Sequence, residues 1–289
     1  METTLSPQQI EKVLHGITIP PQPQILVDIQ MEQVMPNPDV RRIAELISRD
    51  PGISGTMLKV VNSAHFALKN KISSIHQAVQ ILGLSTVLNI LNGISIKSEM
   101  DDETIVQMNR FWDTTMDIAN ISAALAKQLG MRGADESYAL GLFHNCGVPL
   151  LLTRFHNYLE VVNSSYLAHD DRIIDIENRM LNTNHAVVGY FVAKSWKLPD
   201  TLCEIIAEHH NVDAIFIANS PYASEKKTLL AILKIAEHLC RNFNILAEQE
   251  HDYEWEKIEV PLLTYMGLSG DDLENIRDDF IEKGQLTPC

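Results

Sequence analysis

Apolar residues recur along this chain at spacings of three, four and seven positions, which place them on one face of an α-helix. The alternation of apolar and polar residues that is typical of a strand does not occur over any long segment. The pattern therefore predicts an all-α protein with helices over residues 5–15, 24–35, 75–82, 105–129, 135–152, 155–168, 172–181, 183–196, 200–210, 226–243, 260–267 and 270–282. Residues 212–224 lack the pattern and are predicted to form a loop.

Capping and turn-forming residues mark several helix ends. Asp39 and Asp50 each precede an apolar periodic segment, and Pro51 suits the first position of a helix. Gly83 is predicted to end one helix before the next begins. The polar stretch 100–104 interrupts the pattern, so the chain is expected to divide into an N-terminal helical subdomain, 1–100, and a second helical subdomain, 101–289.

Six of the eleven histidines lie between residues 138 and 211, and four of these occupy apolar helix faces. His144 and His185 share faces with leucine, valine and glycine, and His209 continues an apolar stripe with His210 beside it. Three helices are therefore expected to direct imidazoles into the core, towards one point. Such a point is either a metal site or a group of buried histidines that bond to neighbouring polar groups, and buried polar groups are usually paired in that way.

The balance of charges argues against nucleic acid as a partner. Lys and Arg number 23 and Asp and Glu number 38, which gives a formal net charge of −15. Proteins that bind nucleic acid gain affinity by neutralising phosphates with basic side chains, and no basic face is evident here. No apolar run approaches the roughly 20 residues that span a bilayer, so no membrane partner is expected.

The cysteines indicate a reducing compartment. They are widely spread and include no C-x-x-C pair: Cys146, Cys203, Cys240 and Cys289. This spacing is typical of reduced thiols and not of a disulfide framework. Because an apolar signal segment is also lacking at the N-terminus, the expected location is the cytoplasm. Cys146 follows the histidine-containing stretch, and we interpret it as a core residue and not as a nucleophile.

Several short segments, in a fixed order, resemble the HDOD domain, an output domain related to the HD phosphohydrolases. They are Ile19-Pro20-Pro21-Gln22-Pro23, Ile47-Ser48-Arg49-Asp50-Pro51, Val61-Asn62-Ser63-Ala64-His65-Phe66, Phe111-Trp112, Gly141-Leu142-Phe143-His144-Asn145, Trp196-Lys197-Leu198-Pro199 and His209-His210. The resemblance covers about residues 19–211. It implies a multi-helix fold in which an N-terminal bundle packs on an HD-like bundle, and a role in bacterial signal transduction, for example as the output of a response regulator.

The resemblance also implies where a metal site would lie. HD hydrolases bind a divalent metal with a histidine, a His-Asp doublet and a later aspartate. The corresponding positions hold Thr114, His144-Asn145 and, as nearest candidate, Glu237. A neutral hydroxyl and a neutral amide are poor ligands, so neither a hydrolytic metal nor any other cofactor is expected. Should a divalent ion such as Mn, Fe, Zn or Mg bind, its ligands are expected to be His144, His185, His209 and His210.

Three functions follow from this pattern. The first is a non-catalytic signalling domain that binds a signalling protein, with a degenerate HD metal site. The second is a metal-dependent phosphohydrolase that cleaves a nucleotide or a cyclic dinucleotide. The third is a sensor that binds a small second messenger without cleaving it. The phosphate-binding loops G-x-x-x-x-G-K-[ST] and G-x-G-x-x-G do not occur in the sequence.

Overall fold

The structure is a computed structural model of the chain. It describes residues 28, 31–32, 34–36, 38–48, 57, 60–61, 66, 68, 75–98, 102–131, 133–195, 199–218 and 222–287. Within these ranges the regular elements are all helical. They are α1 (Val40–Ser48), α2 (Ile75–Ser98), α3 (Asp102–Gln128), α4 (Ala134–Phe143), α5 (Gly147–Arg154), α6 (Tyr158–Tyr166), α7 (Ile173–Leu181), α8 (His185–Ser195), α9 (Asp200–Glu208), α10 (Ser224–Leu239), α11 (Asn242–Ala247), α12 (Tyr253–Met266) and α13 (Gly270–Glu282).

The all-α prediction is confirmed, and so are two of its local signals. Asp39 caps α1, because its side chain accepts a hydrogen bond of 2.8 Å from the amide of Arg41. Gly83 interrupts α2 with φ 76° and ψ 159°, a conformation that glycine adopts readily. The helix predicted over 5–15, the helix start at Asp50-Pro51 and the boundary near residue 100 lie outside the described residues, as does most of 24–35.

The prediction of one continuous helix over 135–152 is wrong. The chain instead leaves α4 after Phe143 and begins α5 at Gly147, and the three residues between them form a turn. The amides of Cys146 and Val148 bond to carbonyls three residues earlier, over 3.0 Å each. Apolar periodicity continues through the turn, which is why the sequence pattern did not reveal it. The turn matters because it contains His144 and Asn145.

Three further boundaries differ from the sequence prediction. The predicted loop 212–224 contains a π-helical turn, Asp213–Ile217, in which Ile215 and Phe216 are buried. The helix predicted over 226–243 ends at Leu239, and α11 begins after Arg241, whose φ is 54°. The helix predicted over 260–267 begins earlier, at Tyr253, because Asp252 caps it by accepting a 3.0 Å hydrogen bond from the amide of Trp255.

The helices pack so that several of their ends meet at one place in the core. α3 packs against α4 and α10, α8 packs against α5 and α9, and α6 packs against α7. α12 packs against α10 and the π-helical turn. The C-terminal ends of α4 and α9 and the N-terminal ends of α8 and α12 all carry polar residues into this region. Within the described residues, none of the helices is long and apolar enough to cross a membrane.

Candidate metal centre

Four imidazoles are buried at the ends of three helices. His144 follows α4, His185 is the first residue of α8, and His209 and His210 follow α9. Each exposes at most 2% of its surface. The Nε2 atom of His185 lies 3.2 Å from Nε2 of His209 and 3.1 Å from Nε2 of His210. Three helices therefore do direct histidines into the core, as predicted, but only the imidazoles from α8 and α9 meet at one point. His144 of α4 instead has its Nε2 atom 3.2 Å from Oε1 of Glu237.

Two of these imidazoles are oriented by main-chain carbonyls. Nδ1 of His144 lies 2.8 Å from the carbonyl oxygen of Gly141, and Nδ1 of His209 lies 2.7 Å from that of Ile206. A carbonyl oxygen only accepts hydrogen bonds, so Nδ1 carries the hydrogen in both rings. In the neutral imidazole, Nε2 then presents its lone pair. Both lone pairs point away from the helix that supplies the ring.

The other two imidazoles are oriented by buried carboxylates. Nδ1 of His185 lies 2.8 Å from Oε2 of Glu177, and Nδ1 of His210 lies 2.7 Å from Oε1 of Glu254. Glu177 also accepts hydrogen bonds from the amide of His185, at 2.9 Å, and from the hydroxyl of Tyr158, at 2.6 Å. Burial acts to raise the pKa of Glu177, but these interactions with His185 and Tyr158 lower it below its ordinary value.

The resulting arrangement fits a metal ion. His185, His209 and His210 form a group whose ligand atoms all lie within 4.8 Å of one another. Their Nε2 lone pairs repel one another unless a cation lies between them. Burial, together with the neighbouring histidines and Lys234, lowers the pKa of both His209 and His210 well below its usual range, which favours neutral rings. Neutral imidazoles whose Nδ1–H groups bind carboxylates or carbonyls are the usual ligands of zinc and related transition metals.

A buried lysine connects Glu254, the carboxylate that orients His210, to a further carboxylate on α10. Nζ of Lys234 lies 2.8 Å from Oε2 of Glu237 and 2.7 Å from Oε2 of Glu254, and only 3% of its side chain is exposed. Burial disfavours the ammonium ion, but the two carboxylates outweigh this effect and raise the pKa of Lys234. For Glu237, burial is outweighed by Lys234 and His144, so its pKa lies well below the ordinary value.

Comparison with known proteins decides the family. The HDOD domain family matches residues 19–212, which is about two thirds of the chain. This chain belongs to the HDOD family. The match coincides with the range of about 19–211 over which the sequence segments resemble that domain, so the family prediction is confirmed.

Relatives with solved structures share the HDOD fold. The crystal structure of an HDOD domain protein of unknown function from Geobacter sulfurreducens has a TM-score of 0.65 at 21% identity, with 95% of this chain and 93% of that chain covered. A Shewanella amazonensis protein, provisionally named a phosphohydrolase, has a TM-score of 0.64 at 20% identity, with 97% of both chains covered. At this identity the likeness concerns the fold alone.

Two relatives by sequence match this chain over only part of their own length. A protein of Treponema pallidum (strain Nichols) is 28% identical over 230 residues, which is 77% of this chain and 42% of that protein. The YuxH protein of Bacillus subtilis (strain 168) is 35% identical over 74 residues, or 17% of its length. The HDOD chain therefore spans less than half the length of the curated relatives that it matches.

In the structure, the positions that the resemblance singled out do not all belong to the three-histidine group. Asn145 is buried, with Oδ1 3.2 Å from Nε2 of His209, so a neutral amide stands beside the three-histidine group. Thr114 is buried on α3. Glu237, on α10, has Oε1 3.2 Å from Nε2 of His144. The three-histidine group thus does not depend on Thr114 or Asn145, the two positions where metal ligands were judged to be lost.

Sequence reasoning missed three residues of this site: Glu177, Lys234 and Glu254. A signal was available for Lys234, which is a lone charged residue within the apolar stretch from Leu229 to Ile235. Glu254 lies in the first turn of α12, between the predicted helices 226–243 and 260–267, where the sequence pattern predicted no helix. Glu177 faces His185 only because the chain reverses at Asn182, whose φ is 58°.

A pocket in the HDOD fold reaches the site from one side. Its walls include His210, Lys234, Glu237 and Glu254 together with aromatic residues, and its rim includes the partly exposed Asp171 and Lys257. Neither His185 nor His209 is part of its lining. The pocket therefore contacts the carboxylates and one imidazole, whereas the point where the three Nε2 atoms meet lies behind it.

Proposed function

We propose that this HDOD chain is a non-catalytic signal-transduction domain that acts through protein–protein interaction and binds one divalent transition-metal ion at His185, His209 and His210. The observation that carries the metal is the convergence of three Nε2 atoms whose rings are all fixed through Nδ1. The sequence led to the opposite expectation because it weighed the losses at Thr114 and Asn145. Neither residue is needed for a site made of three imidazoles.

The ion's proposed role is structural. A bound ion would connect the start of α8 to the end of α9 and would offset the repulsion among three lone pairs. The chain's own residues prepare this role, since Glu177, Glu254 and the carbonyl of Ile206 hold the imidazoles in the required tautomer. This preparation predicts tight binding of ions that prefer imidazole, such as zinc or iron.

Two observations argue against hydrolysis at this centre. The three imidazoles and Asn145 each expose at most 2% of their surface, so a phosphate ester has no direct route to the Nε2 atoms. An anionic ligand that would offset the metal's charge is replaced by the neutral amide of Asn145. A signalling role that depends on a partner protein and not on turnover is consistent with both features and with the family relationship.

A second candidate is a metal-dependent phosphohydrolase. It is favoured by the pocket beside His210, which offers a ligand partial access to the site, and by the Shewanella amazonensis protein of the same fold. A panel of phosphate monoesters, nucleotides and cyclic dinucleotides with added Mn²⁺ or Fe²⁺ tests it, with His209→Ala as the control.

The same pocket also supports a third candidate, binding of a small second messenger without cleavage. A thermal-shift response that rises with ligand concentration tests that function.

The proposed function is tested first by metal analysis of the protein purified without chelators. We expect about one equivalent of Zn or Fe per chain in the wild type, and its loss in His185→Ala and His209→Ala. We also expect a fall in melting temperature when EDTA is added, and no phosphate release above the His209→Ala control. Substoichiometric metal that is unchanged in both variants contradicts the metal site, whereas phosphate release that depends on His209 contradicts the non-catalytic role.

The protein–protein interaction is tested separately. The wild-type chain, as purified and after EDTA treatment, serves as bait in chemical cross-linking from a bacterial lysate, and the products are identified by mass spectrometry. A partner cross-linked to specific residues of the metal-loaded chain, and at least tenfold less to the treated chain, supports the proposal. Equal recovery of the partner with the metal-loaded chain and with the EDTA-treated chain would show that partner binding does not depend on the metal centre.

A further inference from the structure

Lys234 places a positive charge close to the proposed metal ion. Its Nζ atom lies 2.7 Å from Oε2 of Glu254, a carboxylate that also bonds His210. Only 3% of the lysine side chain is exposed, so little water screens its charge. Two positive charges repel each other strongly where water is excluded. An ammonium group beside this site therefore points to a role that outweighs the repulsion.

The contacts of Glu254 indicate that role. Its two carboxylate oxygens have different partners, since Oε2 accepts from Nζ of Lys234 and Oε1 lies 2.7 Å from Nδ1 of His210. The lysine thus holds one oxygen of the carboxylate, while the other accepts the Nδ1 hydrogen of His210. Nε2 of His210 then keeps the lone pair that a metal ion would bind.

The ammonium group also keeps Glu254 in place against a second carboxylate. Oε2 of Glu237 is 2.8 Å from the same Nζ atom, so the lysine lies between two largely buried carboxylates. Two such carboxylates repel each other, and a buried charge without a partner is costly. Without the ammonium this repulsion is unbalanced, and Glu254 is expected to move away from Glu237 and from its bond to His210.

We infer that Lys234 is a positioning residue of the metal centre, which raises the affinity of the three-histidine group for a divalent ion by fixing Glu254 against His210. This inference rests on the metal site proposed above. It also follows the packing of the helices, since Lys234 comes from α10, Glu254 from α12 and His210 from the end of α9. Helix α10 packs against both α9 and α12, so one buried side chain connects all three elements at the centre.

The test measures the dissociation constant for Zn²⁺ of Lys234→Met in the full chain, by competition with a chromophoric chelator. Methionine keeps most of the aliphatic stem and removes the charge. If the lysine positions Glu254, the affinity should fall by about tenfold or more. If it acts only through its charge, the affinity should rise, because a repulsive ammonium group is removed. A rise, or an unchanged affinity, overturns the inference.

A lysine elsewhere on α10 provides the control. Lys226 forms an ion pair with Glu204 on α9, and its side chain is more exposed than that of Lys234. Lys226→Ala should therefore bind Zn²⁺ as the wild type does. Its comparison with Lys234→Met separates the loss of the internal ammonium from the loss of any positive charge on α10.

A double-mutant cycle shows whether Lys234 acts through Glu254. Glu254→Gln removes the carboxylate that accepts from His210, so this change alone should also weaken Zn²⁺ binding. In the Glu254→Gln background, Lys234→Met should change the dissociation constant by less than about twofold, because the residue through which it acts is already lost. An equal loss of affinity in both backgrounds overturns the inference, since it would show a general structural effect of the lysine.

Folding of Lys234→Met is checked by circular dichroism and urea unfolding. If this variant does not fold, Lys234→Met/Glu237→Gln takes its place in the cycle, because it removes one buried carboxylate together with the ammonium. Glu254 still lacks the donor to its Oε2 atom in that variant, so the same fall in affinity and the same coupling are expected. Failure of both variants to fold overturns the inference, because the lysine would then be required for the fold itself.

A measurement on the metal-free chain separates this inference from the proposed function. The ¹⁵N chemical shifts of labelled histidine report which ring nitrogen carries the hydrogen, and the signals of His210 are those lost in His210→Ala. We expect the Nδ1–H form alone in the wild type and a mixture of both forms in Lys234→Met. A wild-type chain that binds no metal but shows this change counts against the proposed function alone. A ring of His210 that keeps its single Nδ1–H form in Lys234→Met overturns the inference.

Discussion

A Cβ atom on Gly147 would lie 2.0 Å from the carbonyl oxygen of His185, far inside van der Waals contact. The first residue of α5 is therefore in direct backbone contact with the first residue of α8. This contact fixes the turn that contains His144 and Asn145 against the helix that supplies His185. The absence of a side chain at position 147 is thus a geometric requirement of the histidine centre.

The first prediction concerns this contact. Gly147→Ala should lower the free energy of unfolding by about 3 kcal/mol, since the clash is with rigid backbone and not with a flexible side chain. It should also weaken metal binding, because His185 must move. Urea unfolding and metal analysis measure both effects. Gly270→Ala is the matched control, since a Cβ there meets nothing within 4 Å, and it should change stability by no more than about 0.5 kcal/mol. Similar stability of the two variants would contradict the close approach.

The second prediction concerns Glu177, which acts on the metal only through His185. In Glu177→Gln an amide replaces the carboxylate that accepts from Nδ1 of His185 and from the hydroxyl of Tyr158. Metal affinity should fall about 10- to 100-fold, as is common when a partner of a metal-binding histidine is lost. Competition with a chromophoric chelator measures the dissociation constant.

The control for Glu177 is Glu160→Gln, a change at an exposed position on the neighbouring helix α6. It should leave the dissociation constant unchanged. Tyr158→Phe removes one of the donors to Glu177 but leaves the carboxylate charged. Its dissociation constant for the metal should therefore lie between those of Glu177→Gln and Glu160→Gln. Unchanged metal affinity in Glu177→Gln would show that the carboxylate does not orient His185.

Much of the histidine centre could be predicted from sequence because its signal is local. His144, His185 and His209 each continue an apolar helix face, and a buried polar residue on such a face directs its side chain inward wherever the helix packs. The helical fold followed from the same periodicity. The break at Gly83 and the cap at Asp39 were also visible, since both depend on one residue and its immediate neighbours.

The partners of these histidines could not be predicted because they depend on tertiary contacts. Glu254 belongs to a helix 44 residues after His210, and its role follows only from the packing of α12 on α10. The turn between α4 and α5 was missed for a related reason. It is set by the contact of Gly147 with His185, and nothing in the apolar pattern of residues 135–152 indicates where another helix approaches.

The third prediction concerns the pH dependence of an ion pair beside the centre. Arg172 binds Asp175 through two hydrogen bonds, of 2.8 and 2.7 Å, and Asn211, directly after His210, through a third of 2.9 Å. The hydrogen bonds from Arg172 lower the pKa of Asp175 below its ordinary value. Because the folded-state pKa is the lower one, the pair stabilises the fold above about pH 4, and this stabilisation is lost as the pH falls through the folded-state pKa.

Asp175→Asn should therefore lower the free energy of unfolding at pH 7 by on the order of 0.5 kcal/mol, a small value because both side chains are about one-third exposed. The difference from the wild type should shrink as the pH falls below about 4. Urea unfolding at a series of pH values from 7 to 3 measures it. Asp278→Asn, at an exposed position on α13, provides the control. A difference that grows on acidification would have the wrong sign for this ion pair.

The fourth prediction uses the thiols to report on the centre. Cys146, Cys203 and Cys240 are buried, and burial raises the pKa of each, to about 11 for Cys203. The thiolate is the reactive form, so iodoacetamide at pH 8 should leave all three unmodified in the folded chain.

Cys146 lies in the turn after His144, with Sγ 3.6 Å from the carbonyl oxygen of Gly189 on α8. Removal of the metal by EDTA should loosen the packing of α8 against this turn. The resulting increase in alkylation should be at least fivefold larger for Cys146 than for Cys240, which lies at the end of α10. Peptide mass spectrometry measures each site. Equal increases would indicate general unfolding, and a Cys146 that stays protected would show that the metal does not hold α8 in place.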